Sequence, residues 1–196
     1  MKKKSLDNST YATSPGGVTI SDEKLKILRP DLYGIKALGR AIVDYVIVGY
    51  SEKKSIKEHI FYGDSQPAIV ISKKPLLVAA YSEDIDCVVI LKFPDKFSET
   101  YKLEQGSRLL TVNTYLYIED YQKDLMPGPN NDNTWCGVSP IIVDFISDDI
   151  DTIESKKNQF EESLWSYVYN LGVAYSKTHP NVCRDGRPVH SSNSAI

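Results

Sequence analysis

The chain has 196 residues, of which 41% are hydrophobic and 25% are charged, and its formal net charge is −3. This composition is that of an average soluble domain, and it excludes collagen-like, repetitive and wholly disordered chains. The length fits one compact domain with a sizeable buried core. The mildly acidic balance argues against binding to duplex nucleic acid through its phosphates.

The N-terminal region is predicted to begin with a tail. Residues 1–20 are rich in Ser, Thr, Gly and Pro and have no apolar period, which is typical of disorder. A helix is predicted to begin after Ser21, whose hydroxyl can cap the first turn, and to end before Pro30. Between residues 42 and 50 the β-branched and aromatic residues leave helix and strand equally open.

Six segments are predicted as strands, because each is rich in β-branched or aromatic residues and is bounded by turn residues. They are Ile56–Tyr62, Ala68–Ser72, Leu76–Tyr81, Cys87–Phe93, Arg108–Ile118 and Ile141–Ile146. Short connections between the first four predict antiparallel neighbours. The third and fourth segments are apolar on both faces and should be covered on both. The fifth alternates, so one of its faces should be exposed and carry tyrosines.

The most regular helical pattern follows the last predicted strand. Apolar residues recur there at spacings of three and four, which predicts one helix over Thr152–Lys177. Pro180 follows this helix, and residues 179–196 are predicted to be an irregular extension. We therefore predict a single α+β domain over residues 21–178. It combines a mostly antiparallel sheet of five or six strands with N-terminal helices and a long C-terminal helix packed on the sheet.

The segment from Tyr121 to Pro140 is long and has no periodic pattern. Loops of this length in compact domains are commonly binding loops or lids. Trp135 in this loop offers a large rigid contact surface, and three tyrosines in or before the loop offer similar contacts. The predicted partner-binding residues are therefore Trp135, Tyr121, Tyr115 and Tyr117. The alternative is that Trp135 only fixes the loop to the domain.

A cysteine nucleophile needs a neighbouring imidazole and usually an orienting group. Cys87 lies in an apolar strand and is assigned to the core, whereas Cys136 lies in the long loop. Cys136 paired with His179 or His59 is the strongest catalytic combination. Asp144 could orient the imidazole. Because it stands between two apolar residues of a predicted strand, it must be exposed, pair with a cation or take part in chemistry.

The remaining motifs do not predict a cofactor or a metal. The segment from His179 to His190 contains two imidazoles and the thiol of Cys183, but their spacing matches no zinc template. No glycine-rich phosphate-binding motif is present. The odd and sparse cysteines favour a reduced, cytoplasmic setting. No apolar run approaches the length of about 18 residues that a membrane helix needs, so no contact with a membrane is expected.

Charge is unevenly distributed along the chain. The tail carries three lysines and one aspartate and the extension carries two arginines and one aspartate, so the net charge of the body is near −6. Such a body can be steered toward a basic partner. We therefore expect a non-enzymatic protein-binding module, such as an inhibitor or an immunity-type factor, whose partner is another protein. The alternative is a small hydrolase or transferase that uses Cys136 or Asp144 with His179.

Overall fold

The computed structural model describes residues 12–33, 42–116, 122, 124–131 and 137–188. Within these residues the chain forms five α-helices and seven strands. The helices are α1 (Asp22–Leu28), α2 (Ile42–Tyr62), α3 (Lys96–Thr100), α4 (Ile150–Lys157) and α5 (Glu162–Thr178). The strands are β1 (Asp64–Lys73), β2 (Leu76–Ser82), β3 (Cys87–Phe93), β4 (Arg108–Leu116), β5 (Leu125–Pro127), β6 (Gly137–Ile142) and β7 (Arg184–Asp185).

All seven strands belong to one sheet, in the order β5-β3-β2-β1-β4-β6, with β7 paired to β3 beside β5. Every pairing is antiparallel except that of β7 with β3. The predicted α+β architecture is confirmed, including the antiparallel neighbours β1, β2 and β3. No helix among the described residues is both long enough and apolar enough to cross a bilayer.

The sheet is curled, and Arg184 joins its two edges. Arg184 lies in β7 on the β3 edge, and its Nη1 donates a hydrogen bond of 2.6 Å to the carbonyl of Val138 in β6 at the other edge. The same guanidinium also donates to Gln122 and forms an ion pair with Asp124. One side chain therefore closes the gap between the first and last strands of the sheet.

Two hydrophobic cores lie on the sheet. The large core receives Leu25 and Leu28 from α1, Ile56 and Ile60 from α2, and Ile153 from α4. The small core lies between α5 and the other side of β1, β2 and β3, and it contains Ile69, Ile71, Ala79, Tyr81, Val88, Ile90, Trp165, Val168 and Tyr175. As predicted, β2 and β3 are buried on both faces.

The segment Ile56–Tyr62 is the end of α2, so its assignment to a strand was wrong. Ile56 and Ile60 are both buried and lie four residues apart, which is a helical spacing. β-branched residues favour strands by themselves, but burial of one helical face outweighs that preference. The ambiguous range 42–50 belongs to the same helix.

The predicted helix Thr152–Lys177 is two helices, α4 and α5, which are separated by a turn. Glu161, at the end of the turn, has an extended backbone with φ −70° and ψ 152°. Ile153 of α4 points into the large core, whereas Trp165 of α5 points into the small core. Because these cores lie on different sides of the sheet, one straight helix cannot fill both.

The predicted strand Ile141–Ile146 ends early, because β6 stops at Ile142. The chain then turns into a 3-10 helix over Val143–Phe145. Here the side chain of Asp144, rather than a backbone carbonyl, accepts the N–H of Leu110 in β4. The side chain thus ends the ladder between the two strands.

The predicted exposed face of β4 is also wrong for residues 109–113, all of which are buried. The curl of the sheet encloses one face of β4. The helices α2 and α4 contact this strand as well and cover the other face. The apolar and polar residues that alternate along β4 therefore face two different interiors, rather than an interior on one side and solvent on the other.

Residues 12–20, which fall within the predicted tail, lie against the domain. The N–H of Gly16 donates to the carbonyl of Gly63 at 2.9 Å, and the N–H of Ser14 donates to Asp64 Oδ1 at 2.9 Å. Val18 is buried in the large core. Residues 1–11 of the predicted tail lie outside the described residues.

Residues 179–188 of the predicted extension run along the β3 edge of the sheet. They include β7, and they end beside α1, where Arg29 Nη1 donates to the carbonyl of Pro188 at 2.5 Å. Arg29 is buried and also pairs with Asp31 and Glu52. Residues 189–196 lie outside the described residues.

Candidate functional site

Asp144 is buried, and both of its carboxylate oxygens have partners. Oδ1 lies 2.6 Å from the ammonium of Lys157, and Oδ2 accepts the N–H of Leu110 at 2.8 Å. Burial raises the pKa of Asp144, while Lys157 and Leu110 partly offset that effect. Of the three roles that the sequence left open for Asp144, the structure places it in a pair with a cation.

His179 follows the last residue of α5 and lines a groove of about 110 Å³. Its ring lies 4.8 Å from that of Tyr175, and its Nδ1 lies 2.9 Å from the hydroxyl of Thr178. The floor of the groove is apolar, and Lys92, Ser176 and Cys183 stand among the lining residues. No carboxylate of the described chain is part of this lining.

Two of the predicted catalytic residues, Asp144 and His179, do not lie together in the structure. Asp144 contacts Lys157 and β4, whereas His179 lies over β2 and β3, and the two sets of neighbours have no residue in common. Cys136 lies outside the described residues. His59 is directed at β4, where its Nε2 lies 2.8 Å from the carbonyl of Val112. Burial raises the pKa of Cys87 to about 12, as expected for a thiol of the core.

Three of the four predicted partner-binding residues, Trp135, Tyr117 and Tyr121, lie outside the described residues. Tyr115 is partly buried, and its hydroxyl lies 3.1 Å from the hydroxyl of Ser82. The side chain therefore lies over the end of the sheet and bonds to β2.

The described part of the long loop is fixed by Asp86. Asp86 Oδ1 accepts hydrogen bonds of 2.8 Å from the hydroxyls of Tyr81 and Tyr167. Its Oδ2 accepts the N–H of Asn130 at 2.8 Å, and its carbonyl accepts the N–H of Gly128 at 2.6 Å. Asp86 has a φ of +37°, which aspartate tolerates better than most residues do. One buried residue thus connects the β2–β3 turn, α5 and the loop.

A cluster of buried polar side chains occupies the end of the sheet that carries the β2–β3 turn. Asp64 pairs with Asn113 and Gln66 pairs with Thr111 across β1 and β4, so these four side chains share one face of the sheet. Each of the four is at most 6% exposed. The same face continues along β1 into the large core at Ala68.

Hydrogen bonds within this cluster satisfy most of its polar atoms. Gln66 Nε2 donates to Asp64 Oδ2 at 2.6 Å. The hydroxyl of Thr111 donates to Asn113 Oδ1, and Asn113 Nδ2 donates to the carbonyl of Tyr81. The exception is Gln66 Oε1, which is buried and has no hydrogen-bond partner among the described residues.

The rim of the cluster is formed by Asp84, which is exposed in the β2–β3 turn. The hydroxyl of Tyr115 accepts a hydrogen bond from Ser82 and lies near the carboxylate of Asp84. Partial burial and then the neighbouring carboxylate of Asp64 raise the pKa of Asp84. We call Asp64, Gln66, Asp84 and Tyr115 the acceptor cluster.

The acceptor cluster has no cation of its own. Among the described residues neither Asp64 nor Asp84 forms an ion pair. Lys156 approaches the same region, but its ammonium donates to Ser14 and Pro15. Across the described part of the chain, no group of three His, Cys, Asp or Glu side chains is placed to hold a metal ion.

A second surface combines exposed apolar residues with carboxylates. Lys24 of α1 forms a 3.0 Å ion pair with Asp148, just before α4, so the starts of the two helices lie side by side. Ile150 at the first position of α4 is 64% exposed and stands between Asp148 and Asp151. On α1, Ile27 is 54% exposed and lies one turn beyond Glu23. We call these five residues, Glu23, Ile27, Asp148, Ile150 and Asp151, the α1–α4 surface.

Sequence reasoning missed the acceptor cluster because it assigned Asp64, Gln66 and Asp84 to turns. Asp64 and Gln66 lie within a predicted turn before the strand at Ala68, but β1 begins at Asp64. A short polar run that leads directly into a fully apolar strand is the signal that could have extended the strand. The predicted antiparallel pairing of β1 with β2 is also the signal that could have placed Asp84 near Asp64, because a register with Ala68 opposite Ala80 brings the turn after β2 to the start of β1.

Comparison with protein-family models, with curated proteins and with solved structures gives no match. The function of this chain therefore has to be argued from its own geometry.

Proposed function

We propose that this chain is a non-enzymatic protein-binding module, of the inhibitor or immunity type, that binds a basic protein through the α1–α4 surface. The observation that carries this proposal is Ile150, a large apolar side chain that is 64% exposed between two carboxylates. An apolar contact ringed by charge is the usual anatomy of a protein interface, with an apolar centre and a polar rim.

The charges of this surface select the partner. Asp148, Asp151 and Glu23 are the carboxylates of this surface, and Lys24 is already paired with Asp148. Complementary charge accelerates association with a basic protein and disfavours acidic ones. The predicted contacts of Trp135, Tyr121 and Tyr117 belong to the same proposal as a second part of the interface.

The arrangement of the chemically reactive groups supports binding over catalysis. Asp144 is held by Lys157 and Leu110, and Asp86 is held by two tyrosines and the loop backbone. These bonds fix the carboxylates as structural groups. The contacts described for His179 include no acid that could orient its imidazole.

The test is a comparison of single variants in complex formation. Proteins retained from cell extract by the immobilised full chain are identified, and the affinity of each purified candidate is measured. Ile150→Ser removes the apolar centre, and Tyr62→Ser is its matched control, because Tyr62 is equally exposed at 64%. We expect a basic partner whose affinity falls at least about tenfold in Ile150→Ser and is unchanged in Tyr62→Ser.

Two further variants test separate parts of the proposed interface. Asp151→Asn should slow association and weaken its dependence on salt, since it removes one charge of the rim. Trp135→Ala should weaken binding without lowering stability if the loop contributes contacts. Equal effects of Ile150→Ser and Tyr62→Ser, or a partner that binds with no dependence on salt, would overturn the assignment of the surface.

A further inference from the structure

The side-chain amide of Gln66 is buried, and only one of its two polar atoms has a hydrogen-bond partner among the described residues. The side chain is 5% exposed, its Nε2 donates to Asp64 at 2.6 Å, and its Oε1 has no partner among the described residues. Reversing the amide would place Oε1 against the carboxylate of Asp64, bringing two acceptors into contact. The orientation is therefore fixed by Asp64, and the acceptor that lacks a donor is Oε1.

A buried acceptor without a hydrogen-bond donor is energetically unfavourable, so a donor is expected to bind to such an atom. The neighbours of Gln66 cannot supply one. Thr111 donates its hydroxyl to Asn113 Oδ1, and Asn113 Nδ2 donates to the carbonyl of Tyr81. The hydroxyl of Tyr115 lies against that of Ser82, near the carboxylate of Asp84. What the cluster offers to an incoming molecule is a set of acceptors.

Charge determines what kind of donor fits these acceptors. Asp64 and Asp84 lie close enough that one carboxylate raises the pKa of the other, and neither has an ion pair among the described residues. A neutral donor would leave the two negative charges facing each other. A positively charged donor satisfies Oε1 and both carboxylates at once, and hydrogen bonds with charged partners are the strong ones.

We propose that the acceptor cluster is a binding site for an ammonium or guanidinium group, with Asp84 at its entrance and Gln66 Oε1 at its floor. The group comes either from a free organic amine or from a lysine or arginine side chain of a partner protein. This site is separate from the α1–α4 surface, and it does not depend on the function proposed above.

The experiment is a titration of the ¹⁵N-labelled full chain, followed by NMR. Agmatine, which carries one ammonium and one guanidinium group, is the small-molecule probe, and an arginine-rich peptide is the macromolecular probe. We expect saturable shifts of the Gln66 side-chain amide and of the Ser82 and Asn113 signals. Saturation by agmatine assigns the site to free amines, and saturation by the peptide alone assigns it to a partner's side chain.

Two variants test the residues themselves. Asp84→Asn removes the charge at the entrance of an exposed turn, and Glu83→Gln removes the adjacent exposed charge as its matched control. Asp84→Asn should weaken binding at least about tenfold, whereas Glu83→Gln should leave it unchanged. Gln66→Met, checked for folding by its melting temperature, should abolish the localised shifts.

Several results would overturn the proposal. They are the absence of saturable shifts with either probe, equal effects of Asp84→Asn and Glu83→Gln, or saturation of the cluster by Mg²⁺ or Ca²⁺ with no response to either amine probe.

Discussion

The ammonium of Lys157 lies 2.6 Å from Asp144 Oδ1, and this pair joins α4 to the end of β6 inside the domain. Burial lowers the pKa of Lys157, but the carboxylates of Asp144 and Glu154 outweigh it and raise that pKa above its ordinary value. The lysine therefore stays charged throughout the physiological pH range. Both charged groups are largely shielded from water, so each charge is stabilised mainly by the other.

Breaking this pair from one side should destabilise the protein strongly. Lys157→Met leaves Asp144 as a buried unpaired carboxylate, and Asp144→Asn leaves Lys157 without its main counterion. Each should lower the free energy of unfolding by about 3–5 kcal/mol. Urea denaturation measures the loss, with Lys177→Met on the exposed side of α5 as the control, expected to change stability by less than about 0.5 kcal/mol.

The double variant should lose less than the sum of the two single losses, because it leaves neither charge alone. Simple additivity would show that the two side chains act independently.

The loop anchor at Asp86 gives a second prediction. Tyr167→Phe removes one hydrogen bond to a buried carboxylate, so we expect a loss of about 1.5–3 kcal/mol. Hydrogen exchange should increase at Gly128 and Asn130, whose N–H groups bond to Asp86. The control is Tyr169→Phe, since Tyr169 bonds only to the exposed Gln105 among the residues described. Unchanged exchange in Tyr167→Phe would show that Asp86 holds the loop without this hydroxyl.

The link between the sheet edges is tested by Arg184→Met. The substitution keeps an apolar stem but removes the bonds to Val138, Gln122 and Asp124. We expect a loss of about 2 kcal/mol and faster proteolysis of the chain around residue 124. Arg187→Met is the matched control, because Arg187 is exposed and pairs locally with Asp185. Similar losses in both variants would contradict a special role for Arg184.

The contact between α5 and the sheet requires a glycine. A Cβ at Gly172 would lie 2.5 Å from the Cβ of Ala79 in β2. Gly172→Ala should therefore push the helix away from the sheet and cost about 1–3 kcal/mol, despite the better helix propensity of alanine. Ser166→Ala on the exposed side of α5 should be neutral or slightly stabilising. Thermal melting distinguishes the two outcomes, and a stabilised Gly172→Ala would show that the helix can move freely.

The thiols should differ in reactivity. Cys87 is buried and its pKa is raised to about 12, so it carries almost no thiolate at pH 8. Cys183 is partly exposed in the groove beside His179. Iodoacetamide should therefore modify Cys183 in the folded protein and reach Cys87 only after denaturation. Peptide mass spectrometry measures both sites, and rapid native labelling of Cys87 would contradict the burial of β3.

The sequence predicts the elements whose patterns are local. The cap of α1 at Ser21, the end of α5 before Pro180 and the strands β1 to β3 follow from spacing and turn residues alone. Prediction from the sequence fails where residues far apart in the chain determine which side chains are buried. The sequence of Ile56–Tyr62 in α2 resembles a strand until its packing on β4 is known, and that of Thr152–Lys177 resembles one helix until the two cores are seen.

The candidate sites depend still more on the fold. The sequence left three roles open for Asp144, namely exposure, pairing with a cation or chemistry, and Lys157 could be named as its partner only once α4 was placed beside β6. The acceptor cluster combines residues from β1, the β2–β3 turn and β4. The predicted pairing of β1 with β2 brings the first two segments together, but no spacing in the sequence places β4 beside β1. Its one local signal, the polar run at Asp64, also fits an ordinary turn.

The bond of Arg184 across the sheet edges has a consequence for synthesis of the protein. The N–H groups of Gly16 and Gly17 have their acceptors once residue 63 has been made, yet the bond to Val138 of β6 cannot form until Arg184 has left the ribosome. Until then the nascent chain presents strand edges that other chains can pair with. The bond that joins the two edges of the sheet therefore depends on the last part of the described chain to be translated.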